Sequence, residues 1–374
     1  MQKFGFIVHP LEIADIARKF PLAQRLPQHW LENLLRYGPP IKISHITGIK
    51  SPQGTEAEGW FVGCLLTPKQ MLELPETAVL NKIVDACNKA EALGAQIVGL
   101  GAYTAVVGDA GVTVADQVDI AVTTGNSYTV ATALQGIYYA ADLMEVPLDK
   151  ATAAVLGATG SIGQAVARML ARDIGQLTLA ARSEKRLRNL AERIENAAGA
   201  VEVQTTTDIK LACQEADIVV AVTSALETIV EPEWLKPGAI ICDVARPRNV
   251  SKRVAEVRSD VLVFEGGVVQ VPGDVSFGFD FGFPAKTSYA CMAETMILAL
   301  EGRYESFTLG RDLSLGQVEE IAGLAEKHGF AVEGLRSFER ALTAESILEI
   351  KENARKTKNL SARKGWEITD ETRQ

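Results

Sequence analysis

The chain has 374 residues, 47% of them apolar, and a formal net charge of −9. That length supports two or three domains, each able to bury a core of its own. The negative balance disfavours nonspecific nucleic-acid binding, and no run of about 18 apolar residues offers a membrane span.

Residues 1–150 read as an N-terminal mixed α/β substrate domain. Met1–Pro10 is expected to be a first strand rather than a secretory leader, because its apolar run is short and no small-residue cleavage site follows. Further strands are expected at Lys42–Ile46, Trp60–Leu66, Ile97–Leu100 and Ile120–Thr123. Val79–Leu93 has helical apolar spacing and stops at Gly94, a natural C-cap. The glycine-rich turn Gly99–Tyr103 reads equally as a ligand-approach loop or as a tight turn. After the strand ending at Thr123 comes Thr124-Gly125-Asn126-Ser127, then a helix to about Met144. Small polar residues at a helix start offer N–H and hydroxyl donors to an anion, although capping alone uses only one of them.

A second domain is expected over residues 151–285. The strand Ala151–Leu156 leads into Gly157-Ala158-Thr159-Gly160-Ser161-Ile162-Gly163 and a helix to Arg172. A strand follows at Gln176–Ala181, a helix at Lys185–Ala197, and strands at Asp217–Val222 and Ala239–Val244. This βαβ rhythm predicts a Rossmann-type doubly wound parallel sheet. The glycine run is a G-x-x-G-x-x-G variant of the dinucleotide fingerprint in its required strand–turn–helix context. Gly160 lets the backbone approach a pyrophosphate, Gly163 lets the helix pack close, and the Ser161 and Ile162 N–H groups face the phosphates. The second strand ends Ala181-Arg182-Ser183. An NAD enzyme usually carries a carboxylate there, whereas Arg182 and Ser183 suit a 2′-phosphate, so NADPH is the expected cofactor. Val222, Thr223 and Ser224 are expected beneath the cofactor's ribose.

Residues 286–374 are expected to form a C-terminal helical segment, with the stretch beyond about Arg340 peripheral. It carries Cys291, in a loop turning into a helix. Thr287 and Ser288 are expected N-caps, and Lys286 lies just upstream. A helix N-terminus and a nearby cation both lower a thiol pKa. By position alone Cys291 reads either as a reactive thiolate or as a small packed residue. Cys64, Cys87, Cys213 and Cys242 lie in apolar patterns and read as structural. The cysteines and histidines show no metal-ligand spacing, and the scattered cysteines suit a reducing, cytoplasmic compartment.

With these pieces in place the chain resembles the cyanobacterial long-chain acyl-[acyl-carrier-protein] reductases over roughly residues 3–335. The resemblance rests on Gly101-Ala102-Tyr103, Thr123-Thr124-Gly125-Asn126-Ser127-Tyr128-Thr129, the Gly157–Gly163 turn, Gly266-Gly267-Val268-Val269, Ala290-Cys291-Met292-Ala293-Glu294, Glu301-Gly302 and Lys327-His328-Gly329-Phe330. It implies NADPH-dependent reduction of a fatty acyl thioester to an aldehyde, with Cys291 as nucleophile. It also implies an acyl carrier protein or coenzyme A thioester as substrate partner, and an aldehyde-consuming enzyme downstream. Asn126 and Ser127 are the candidate oxyanion donors, and His9 and His328 also fall on family positions. Tyr128 stands where the family commonly has His. Phe277, Phe279, Phe281 and Phe283 read either as an acyl-chain lining or as a core strand face. An acidic carrier needs a local basic patch, for which Arg18, Lys19, Arg25, Arg36, Arg303 and Arg311 are the candidates. The competing readings are a dehydrogenase of the shikimate or glutamyl-tRNA reductase type and a non-catalytic nucleotide-binding protein.

Overall fold

The computed structural model of the chain describes residues 1–10, 27–199, 201–225, 227–278, 284–332, 334–338 and 340–371. The first stretch supplies strands β1 (Gln2–Val8), β2 (Ile41–Lys50) and β3 (Glu56–Gly63), helix α1 (Glu76–Ala92), strands β4 (Ile97–Leu100) and β5 (Ala121–Thr123), and helix α2 (Asn126–Met144). Next come β6 (Thr152–Leu156), α3 (Ser161–Leu170), β7 (Gln176–Ala180), α4 (Glu184–Ala198), β8 (Glu202–Thr206), β9 (Ile218–Ala221), β10 (Ile240–Asp243) and β11 (Leu262–Glu265). The last stretch holds β12 (Val268–Gln270), β13 (Gly273–Ser276), β14 (Thr287–Tyr289), α5 (Ala290–Glu301), α6 (Leu315–His328) and α7 (Ala344–Glu371).

These elements form two compact units, each made of two separate stretches of chain: Met1–Thr132 with Gly267–Glu333, and Ala133–Gly266 with Gly334–Gln374. The first is built on a six-stranded sheet of order β13-β2-β3-β1-β4-β5. Strands β3, β1, β4 and β5 run parallel, while β2 and β13 are antiparallel additions at one side. Successive side chains along a strand face opposite ways, and the two faces are covered by different helices. On one face, a Cβ at Gly5 would lie 2.7 Å from Ala90 of α1. On the other, a Cβ at Gly99 would lie 2.1 Å from the Thr295 hydroxyl of α5. Helix α5 is buried continuously from Met292 to Leu300, as an all-round apolar helix must be.

The second unit is built on an all-parallel sheet of order β11-β10-β9-β6-β7-β8. The chain starts in the middle at β6, winds outward through β7 and β8, then returns to β9 on the other side. That reversal makes a switch point between β6 and β9, and in such sheets ligands bind at the carboxyl ends of the strands beside it. Strands β9, β10 and β11 are buried throughout, so they read as plain apolar runs without alternation. The fold class is the expected one: a doubly wound parallel sheet, a mixed α/β sheet and C-terminal helices.

The partition differs from the three consecutive segments expected. Helices α5 and α6 do not form a unit with the tail. The apolar surface of α5 is buried on β1 and β4, so it completes the first unit. Helix α7 belongs to the second unit, where Lys351 and Arg355 each pair with Glu145 at 2.6 Å. No helix among the described residues is long and apolar enough to cross a membrane.

Candidate active site

In the first unit, α5 begins at Ala290, which puts Cys291 in its first turn. The caps expected at Thr287 and Ser288 are not there. Both residues lie in β14, and the N-cap is Tyr289, whose side chain makes no capping bond. The Thr287 hydroxyl instead donates to the Pro284 carbonyl at 2.8 Å. Lys286 is engaged elsewhere as well, its Nζ lying 2.8 Å from the Asp274 carboxylate. No disulfide involves any of the five cysteines, and Cys291 alone is partly exposed. The other four are buried, and desolvation pushes their thiols up, Cys64 and Cys213 to about 12 and Cys87 and Cys242 further.

The loop between β5 and α2 sits directly on Cys291. Gly125 has φ +73°, and a Cβ there would lie 2.3 Å from Cys291 Cα. Only glycine permits both the backbone conformation and the approach. Asn126 and Ser127 follow as the first residues of α2, both buried. The Ser127 and Thr308 hydroxyl oxygens lie 2.9 Å apart, within hydrogen-bond distance.

Glu294 lies one turn along α5 from Cys291 and is wholly buried. Its Oε1 accepts from the Thr123 hydroxyl at 2.5 Å and its Oε2 from the Tyr128 N–H at 2.8 Å. Burial pushes this carboxyl up, while the Thr123 and Thr308 hydroxyls and the Tyr128 and Gly125 N–H groups pull it back. Nothing in the sequence reading gave Glu294 a task, although it is the lone acid in the stretch Ala290–Leu300 and stands three residues after the cysteine.

The remaining first-unit candidates are tied into the structure. His9 Nε2 accepts from the Tyr103 N–H at 3.0 Å, which places its ring proton on Nδ1, 3.1 Å from the Pro10 carbonyl. His328 is buried, with Nδ1 3.1 Å from Ser51 Oγ and Nε2 2.8 Å from Glu301. Tyr128 is buried, and burial pushes its phenol up. The Gly99–Tyr103 turn is close-packed: a Cβ at Gly101 would lie 2.7 Å from Phe6 and 2.8 Å from the Ile7 carbonyl. Phe277 is buried and stacks on Phe61 at 6.1 Å, as a core residue does, while Phe279, Phe281 and Phe283 lie outside the described residues. Of the basic candidates, Arg303 pairs with Glu305 and Glu320, and Arg311 donates to the Gly108 carbonyl. Arg36 is exposed, and Arg18, Lys19 and Arg25 lie outside the described residues.

In the second unit the fingerprint turn closes as its chemistry requires. The N–H groups of Gly157 and Ala158 both donate to the Ala180 carbonyl, at 2.8 and 3.1 Å. Gly157, at φ +86°, packs on the carbonyl of Val222 at the end of β9. A Cβ at Gly163 would lie 2.3 Å from the Gly157 carbonyl oxygen, so glycine alone lets α3 start this close. The N-cap of α3 is Gly160, which makes no side-chain capping bond. Such a turn at the switch point fits a bound pyrophosphate. Arg186 Nη2 donates to the Thr159 carbonyl at 2.7 Å, bracing the turn from the start of α4. Arg182 is exposed just past β7. Ser183 caps α4 by accepting from the Arg186 N–H at 3.4 Å, a use the sequence reading did not foresee.

At the end of β9, the N–H and hydroxyl of Thr223 both donate to Asn249 Oδ1 at 2.8 Å, which fixes the strip Val222-Thr223-Ser224. Asp243, at the end of β10, accepts from the Val250 and Ala245 N–H groups at 3.0 and 3.1 Å. Its carboxyl is pushed up to about 6 by burial, against the pull of Arg246. Glu265, at the end of β11, holds Arg248 at 2.7 Å. Among the described residues no group of three or more His, Cys, Asp or Glu could hold a metal ion.

The family Shikimate / quinate 5-dehydrogenase matches residues 139–265. Aminotransferase PigE of Serratia sp. is 31% identical over 93% of this chain, which spans only 42% of that protein's length. The Long-chain acyl-[acyl-carrier-protein] reductase of Synechococcus elongatus is 28% identical over 78% of this chain and 87% of its own. Among solved structures, L-tryptophan dehydrogenase from Nostoc punctiforme aligns over 94% of this chain and 88% of its own, with 15% identity and a TM-score of 0.41.

Proposed function

We propose that the chain is an NAD(P)-dependent oxidoreductase that reduces a fatty acyl thioester to the aldehyde through an acyl-Cys291 intermediate. The observation that carries the reading is the setting of Cys291: the one partly exposed cysteine, in the first turn of α5, under a glycine loop that fits nothing larger. The likeness to the Synechococcus reductase supports the substrate class. The Gly157–Gly163 turn would hold the cofactor's pyrophosphate, with Val222, Thr223 and Ser224 beneath the ribose. Arg182 beyond β7, where no carboxylate stands, favours NADPH over NADH.

The Cys291 thiolate attacks the thioester carbonyl and the carrier thiol leaves with a proton. Thioester exchange is close to neutral in energy, which suits sulfur better than oxygen. When bound, NADPH supplies the hydride. Collapse of the resulting hemithioacetal expels the Cys291 thiolate and frees the aldehyde. Both tetrahedral species carry an oxyanion, for which Asn126 and Ser127 at the start of α2 are the donors we assign. The Tyr128 N–H of the same turn is already given to Glu294. The substrate arrives as an acyl carrier protein or coenzyme A thioester, and an aldehyde-consuming enzyme takes the product. The setting is the reducing cytoplasm.

Incubation with hexadecanoyl-coenzyme A and no reductant should add the acyl mass to the Cys291 peptide, removable by hydroxylamine. Cys291→Ser should bind NADPH normally and release no aldehyde, because a serine hydroxyl is far less nucleophilic at neutral pH. Aldehyde production by that variant at the wild-type rate would overturn the covalent route. The second reading, a dehydrogenase acting on an alcohol such as a hydroxy acid, is favoured by the family match over residues 139–265. It predicts NADP reduction by shikimate or quinate and no acyl adduct.

A further inference from the structure

We infer that Glu294 is a positioning residue for acyl transfer, holding the loop Thr123–Tyr128 in place over Cys291; the inference rests on the nucleophile reading above. The hydrogen bonds around Thr123 have a definite direction. Its Oγ1 accepts from the Thr308 N–H at 3.3 Å and from the Gly125 N–H at 3.4 Å. With its lone pairs so used, its proton is left for Glu294 Oε1, 2.5 Å away. On the other oxygen the Tyr128 N–H can only donate. The Thr123 hydroxyl and the Tyr128 N–H therefore both donate to Glu294, and the pattern requires an acceptor at both oxygens.

The two residues flanking the oxyanion candidates are thus fastened to the helix that bears the nucleophile. Thr123 and Tyr128 lie at opposite ends of the stretch, with Gly125, Asn126 and Ser127 between them. Glu294 stands one turn beyond Cys291 and grips both ends. Asparagine or glutamine chemistry cannot replace it: an amide would turn a donor toward Thr123 or the Tyr128 N–H and leave a buried polar group unmet. Glu294 does not touch the substrate. It fixes where the donors stand relative to Cys291.

This role separates two reactions of the same thiol. Acyl transfer passes through an oxyanion and needs the loop in register. Alkylation by iodoacetamide is a direct displacement with no oxyanion. Glu294→Gln should lower the single-turnover rate of Cys291 acylation by hexadecanoyl-coenzyme A roughly 100-fold, the scale of a lost oxyanion donor. Half-saturation should shift little, the iodoacetamide rate at Cys291 should stay within about threefold, and NADPH affinity should be unchanged. Thr123→Val, which removes one donor at nearly constant shape, should show the same split at about tenfold, and it is the deciding variant if Glu294→Gln fails to fold. Acylation at the wild-type rate, or parallel loss of acylation and alkylation, overturns the positioning role. A wild-type chain that takes no acyl group overturns the nucleophile reading and this inference with it.

Discussion

At the scale of single residues, two side chains make opposite demands on charge. Arg182 is exposed beyond β7, where an acid would serve NAD. A charge-assisted contact to a 2′-phosphate contributes about 1.5–3 kcal/mol. Arg182→Ala should therefore weaken NADPH by about 10- to 100-fold and leave NADH nearly untouched, as titration of cofactor fluorescence would show; equal loss for both removes the assignment. Asp243 is buried, with its carboxyl raised to about 6 from an unfolded value of about 3.9. The folded state then holds this proton more tightly than the unfolded one. The associated stability is fully present below about pH 4 and is lost as pH rises through 6. Asp243→Asn removes that term. Urea midpoints should show the variant gaining on the wild type between pH 4 and pH 6.5, and a constant difference would contradict the burial argument.

At the scale of elements, the junction of β5 and α2 is set by one glycine. Gly125→Ala adds a methyl group 2.3 Å from Cys291 Cα and forces φ +73° on a residue that resists it. Overpacking and backbone strain together cost about 2–5 kcal/mol. The variant should melt earlier and lose acylation, while cofactor binding, assigned above to the other unit, should persist. Normal stability would mean that the loop does not rest on α5. The Gly157–Gly163 turn is the second such junction, where Gly163 meets the Gly157 carbonyl. Both junctions were legible in the sequence because glycine beside a strand end marks close approach. What those glycines approach was not legible: Gly163 meets its own turn, whereas Gly125 meets a helix more than 160 residues later.

At the scale of the whole molecule, legibility followed the range of the contacts. The β6–α3–β7–α4 run was readable because each element packs on its neighbour in sequence, and its period matches its burial. The place of Cys291 in the first turn of α5 was readable from local composition, whereas its partial exposure was not. Glu294 was not, because its partners Thr123, Tyr128 and Thr308 come from distant stretches and a lone acid in an apolar helix has no signature of its own. The make-up of each unit from two separate stretches was not legible for the same reason. Pattern along the chain marks where helices begin, but it does not say that α5 returns to cover a sheet begun at residue 2.

That return has a consequence in time. During synthesis, β1, β3, β4 and β5 emerge early, but the helix that covers one of their faces follows only after the whole stretch Ala133–Gly266. At about 5–20 residues per second the ribosome needs roughly 7–27 s to cross that interval. The parallel sheet in between closes from contiguous chain and can settle during the wait. The early strands hold an apolar face bare meanwhile, and that half-finished sheet is where a nascent chain is most exposed to aggregation. Cys291 is therefore set in place by one of the last folding steps of its unit.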